Sequence, residues 1–120
     1  YLAMIHLRRA RAANSRAAAL EKLERADDAS QRASAWDPGR AHPYCLRFEV
    51  ALARIGLREG RTSPMPPELE ASALQRLAEL RELDPQHRLL PNYTSDLLFE
   101  QALARLGAGD REGHFELLEQ

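Results

Sequence analysis

A chain of 120 residues with 44% apolar and 29% charged residues can build one small core or a short array of repeats. Aromatics are only 6%, so the core must rest on Leu and Ala, which favours helices over sheets. The net charge of -1 divides unevenly, +5 over residues 1–61 and -6 over residues 62–120, which argues against a uniformly basic nucleic-acid binder.

The chain opens on YLAMIHL, apolar but seven residues long. That is far short of the roughly 20 residues a membrane-spanning helix needs, and fits instead the tail end of a span or a short apolar helix face. A secretory signal would carry its positive charge before the apolar run, not after it. Arg8, Arg9, Arg11 and Arg16 follow, with no acidic residue before Glu21. Such a cluster fits contact with an anionic membrane surface or an acidic partner, against the plainer alternative of a solvated helix face. Lys22 is the single lysine against 16 arginines, a bias that genome composition explains without RNA binding. Helices are expected over 1–13 and 16–35, with Asp27 and Asp28, neighbours in sequence, solvated.

A large apolar residue followed by Asp-Pro closes two of the runs, at Trp36-Asp37-Pro38 and Leu83-Asp84-Pro85. Proline disfavours helical backbone in the residue before it, so each helix should stop near the aspartate. Pro43-Tyr44 and Pro91-Asn92-Tyr93 then open the next helices, because proline is tolerated in a first turn. The segment REGRTSPMPP, 58–67, is a loop. The expected helices after the first two are 43–57, 67–83, 92–107 and 111–120.

Two of these carry nearly the same words. FEVALARIG (48–56) returns fifty-one positions later as FEQALARLG (99–107), with seven of nine residues identical. Phe48, Leu52 and Ile55 lie at i, i+4 and i+7, as do Phe99, Leu103 and Leu106, which puts each set on one helical stripe. Both phenylalanines are therefore expected as buried knobs between neighbouring helices. Gly56 and Gly107 are suited to closing their helices.

Signals for chemistry are few. His6, His42, His87 and His114 are far apart, without a second ligand at metal spacing; no metal, cofactor or catalytic residue is expected. His42 and His87 follow the Asp-Pro turns and read as loop residues. Cys45, the only cysteine, reads as a small buried apolar residue. Asn92-Tyr93-Thr94 matches the glycosylation triplet, but its place at a helix start favours Asn92 as a cap.

ALQRLAELRELDP (73–85) followed by FEQALARLGAGDREGHFELLE resembles tetratricopeptide repeats, whose units are pairs of antiparallel helices. Ala73, Leu77, Leu80, Leu83 and Pro85 match the second helix of such a unit. Phe99, Leu103 and Gly107 match the first, as do Phe48, Leu52 and Gly56. The resemblance departs at Glu49 and Glu100, where the family has a small residue, at His114, where it has alanine, and at Ser30, where it has a large one. It implies an all-α, TPR-like stack of about six helices in two and a half to three degenerate units, 1–38, 43–85 and 91–120, forming one domain.

What the resemblance implies for function is a non-catalytic module whose concave groove binds a peptide or helix of another protein. Arg47, Arg54, Asp96 and Arg105 are the expected contacts. A second reading is the soluble tail of a membrane enzyme, since TPR-like tails end bacterial glycan polymerases, O-antigen ligases and protein O-oligosaccharyltransferases; the anionic-surface cluster Arg8, Arg9, Arg11 and Arg16 would suit it. A small stand-alone enzyme would need convergent titratable groups, and none is visible.

Overall fold

The computed structural model describes residues 2–13, 15–58 and 64–107. They form five helices and no strand: α1 (Leu2–Arg11), α2 (Arg16–Trp36), α3 (Ala41–Gly56), α4 (Pro67–Leu83) and α5 (Leu90–Gly107). The expected helix 111–120 lies outside the described residues, as does His114. Among the described residues no helix is long and apolar enough to cross a membrane.

Helix starts follow local chemistry. The Ser15 side chain accepts the backbone N–H of Ala18 at 3.1 Å and caps α2. Pro67 begins α4, where its missing N–H costs nothing. Pro43 and Pro91 instead lie inside first turns that begin two residues and one residue earlier, so His42 is helical. Asn92 is then an exposed residue of the first turn of α5, not its cap.

The two Asp-Pro exits are conformational twins. Asp37 has φ -141° and ψ 83°, and Asp84 has φ -144° and ψ 81°. In each turn the aspartate carbonyl accepts an N–H three residues on, from Arg40 at 3.2 Å and from His87 at 3.0 Å. The same sequence signal produces the same turn. The residues before the aspartates differ, however: Trp36 is 90% exposed, whereas Leu83 is half-buried.

Consecutive helices pack on one another, and α3 also meets both α1 and α5. α3 is the centre of the molecule because it buries two stripes. Leu46 and Val50 join Ala3, Leu7, Ala10, Leu23 and Ala26 of α1 and α2. Cys45, Phe48, Ala51 and Ile55 join Ala73, Leu77 and Leu80 of α4 and Leu90, Tyr93 and Leu97 of α5. The Phe48 ring is fully buried, 4.6 Å from that of Tyr93. Ser30 is fully buried without a cavity of unpaired polarity, since its hydroxyl donates to the Ala26 carbonyl at 2.8 Å.

The second copy of the nonapeptide behaves differently. Ala102 is buried and Leu103 half-buried, but Phe99 is 53% and Leu106 38% exposed. α5 buries Tyr93, Leu97, Glu100 and Ala104 instead, a stripe at i, i+4, i+7 and i+11. The expectation of two equivalent knobs therefore fails for Phe99. α3 is enclosed by helices from both ends of the chain, whereas α5 packs only on α3 and α4 among the described residues.

α1 holds to α2 through an alanine-rich interface that contains His6, 9% exposed with an unpartnered Nδ1. Burial lowers the His6 pKa from 6.5, and the positive charges of Arg25, Arg9 and Lys22 lower it further. Above pH 6.5 the imidazole is neutral in both folded and unfolded chains. As pH falls below that value the unfolded chain takes up its proton first, so stability declines until pH passes the lower folded value. Stability is expected to drop as pH falls through 6.5, and less steeply in His6→Leu. Urea titrations at each pH check this; parallel curves for the two proteins would show that His6 is not the group responsible.

Candidate binding groove

The odd-numbered helices meet on one side of the molecule. Arg11 of α1, Glu49, Leu52 and Gly56 of α3, and Asp96 and Glu100 of α5 line a cavity of about 270 Å³, with Tyr93 in its wall. A larger cavity of about 450 Å³ shares Arg11, Ala53 and Gly56 and continues between α1, α2 and the end of α3. Gly56 is the last helical residue of α3, followed by Leu57 at φ -94°. It is thus no left-handed cap. What its missing side chain provides is space, for a Cβ there would meet nothing within 4 Å.

The glutamates of the duplicated Phe-Glu dipeptide, Glu49 and Glu100, tie these helices together. Glu49 accepts the Tyr93 hydroxyl at 3.1 Å and the Arg11 guanidinium at 3.3 Å, linking α5, α3 and α1. Burial, then the nearby Glu49 carboxylate, holds the Tyr93 hydroxyl far above its ordinary pKa, so it remains a donor. Glu100 pairs with Arg58 at 3.0 Å, their side chains only 6% and 3% exposed, and Arg58 also donates to the Ile55 carbonyl at 2.6 Å. Arg58 lies two residues beyond α3, so this buried pair fastens the exit of α3 to the middle of α5. Sequence reading missed it. The repeated Phe-Glu dipeptide was the available signal, because an acidic residue recurring in an apolar helical segment needs a partner where it is buried.

Of the expected contact residues, Asp96 lies in the groove. Arg47 and Arg54 point the other way, toward α2 and α4. Arg47 is near Asp27 at 4.0 Å and Glu79 at 3.7 Å, and Arg54 is 3.9 Å from Asp27. Asp27 is accordingly half-buried, not solvated as expected. Arg105 is exposed near the end of α5. In the N-terminal cluster Arg8, Arg9, Arg11 and Arg16 are all exposed, but Arg11 is held by Glu49, and Arg16 Nε donates to the Leu57 carbonyl at 2.5 Å.

Cys45 and His87 come together across 42 residues, Sγ to Nε2 3.6 Å. The pair does not form a nucleophile and its base. The Leu89 N–H donates to His87 Nδ1 at 3.2 Å, which leaves the ring proton on Nε2, facing the sulfur. Burial raises the Cys45 pKa, so the thiol stays protonated. Among the described residues no group of three or more His, Cys, Asp or Glu is placed to hold a metal ion. Compared with models of known protein families, with curated proteins and with solved structures, the chain matches none.

Proposed function

We propose that the chain is a non-catalytic protein-interaction module, a TPR-like stack of antiparallel helix pairs whose α1, α3 and α5 form the concave side. The groove there holds an extended segment or helix of a partner protein. The observation that carries this reading is the convergence of three non-consecutive helices around one open cavity. Its walls mix apolar Leu52 with Arg11, Glu49 and Asp96, the combination that fixes a peptide by both burial and polar registration. The matching geometry of the two Asp-Pro turns supports the repeat.

Gly56 supplies a direct test. Gly56→Phe adds bulk where a Cβ meets open space, and Asp96→Arg reverses an exposed charge. Peptides selected from a random display library on the wild-type chain are expected to bind both variants at least about tenfold more weakly, about 1.4 kcal/mol. Arg32→Glu, exposed on α2, should leave affinity unchanged. Fluorescence anisotropy with labelled peptides measures all three. Undiminished binding to Gly56→Phe and Asp96→Arg would put the binding surface elsewhere.

A further inference from the structure

The inner face of α1 is committed: Ala3, His6, Leu7 and Ala10 are buried. Its outer face is not. Leu2 is 58% and Ile5 44% exposed, and they are three residues apart, one helical turn. Arg8 and Arg9 follow Ile5 at i+3 and i+4, so both border it on the same surface. α1 contains no acidic residue, and among the described residues neither Arg8 nor Arg9 has an ion-pair partner. The other two arginines of the cluster differ, since Arg11 is held by Glu49 and Arg16 by the Leu57 carbonyl.

We propose that this outer face of α1 rests on an anionic lipid bilayer, with Leu2 and Ile5 dipping into the headgroup boundary and Arg8 and Arg9 meeting lipid phosphates. Charge complementarity selects that occupant. Two apolar side chains beside two unpaired cations match an interface that is apolar below and negative above. Arginine suits the position because its stem covers apolar surface while its guanidinium stays among the phosphates. Two anchors and two charges make the contact weak and reversible, a surface association and not an insertion. The inference is independent of the peptide groove, which lies on the side of α1 that carries Arg11.

Co-sedimentation of the 120-residue chain with vesicles tests it. Binding is expected to vesicles of mixed phosphatidylcholine and phosphatidylglycerol, and not to phosphatidylcholine alone. It should weaken as salt rises from about 0.01 M to 1 M and the Debye length shrinks from about 30 to 3 Å. The double variant Arg8→Gln, Arg9→Gln should lose roughly thirtyfold, from about 1 kcal/mol per basic residue. Leu2→Asn with Ile5→Asn should also weaken binding, but with the salt dependence retained. Arg11→Gln with Arg16→Gln should weaken it far less than the Arg8, Arg9 pair. Circular dichroism of each variant checks that the helices persist. The proposal is overturned by a wild-type chain that ignores the mixed vesicles, by equal losses in the two arginine pairs, or by unchanged binding in the Leu2, Ile5 variant. Concentration-dependent self-association abolished by the Leu2, Ile5 changes would likewise overturn it, assigning the face to a second copy of the chain.

Discussion

Phe48→Ala is expected to destabilise the fold by about 3–5 kcal/mol, while Phe99→Ala costs less than about half as much. The side chain of Phe48 is fully buried, packed among α3, α4 and α5 and against the ring of Tyr93. Its removal loses the transfer energy of a large apolar group and leaves a cavity that three helices cannot easily close. Against a total stability of about 5–15 kcal/mol for a small domain, that is a large share. Phe99 occupies the same place in the repeated nonapeptide yet is 53% exposed, so less of its area returns to water on truncation. Urea unfolding of both variants measures the contrast. Equal shifts would mean that α5 buries Phe99 as α3 buries Phe48.

The second large effect concerns Arg58 and Glu100. Removing one member of a buried ion pair withdraws a charge partner where water can do little to replace it. Glu100→Ala should destabilise the fold by several kcal/mol, about 3–5 at most, because the Arg58 guanidinium, 3.0 Å away and with its side chain 3% exposed, loses this carboxylate. Replacing both partners, Arg58→Met with Glu100→Leu, should recover most of that loss, since neither charge then needs hydration. A double-mutant cycle gives the coupling energy directly. If the double variant is as unstable as Glu100→Ala alone, the side chains matter for shape and not as a pair.

This pair also shows where sequence reading stops. Proline positions and the Asp-Pro exits placed the helices and their turns to within a residue or two, because those signals act over three or four residues and hardly depend on the rest of the chain. The nonapeptide stripe located Phe48 correctly for the same reason, as α3 has neighbours on every side that the stripe predicts. On α5 the same stripe misplaced Phe99. A helix rotates to bury whichever face its neighbours cover, and identical residues therefore meet different surroundings on the central helix α3 and on the last described helix. Long-range pairings were equally hidden. Arg58 with Glu100 and Cys45 with His87 span 42 residues, and Glu49 with Tyr93 spans 44. Each depends on how segments far apart in sequence are turned toward one another, to which local periodicity is blind. The groove belongs to that second category. Sequence alone determined that the described chain is helical and where its helices turn; tertiary packing decided that Gly56 opens a space, that Asp96 faces it, and that Arg47 and Arg54 face away.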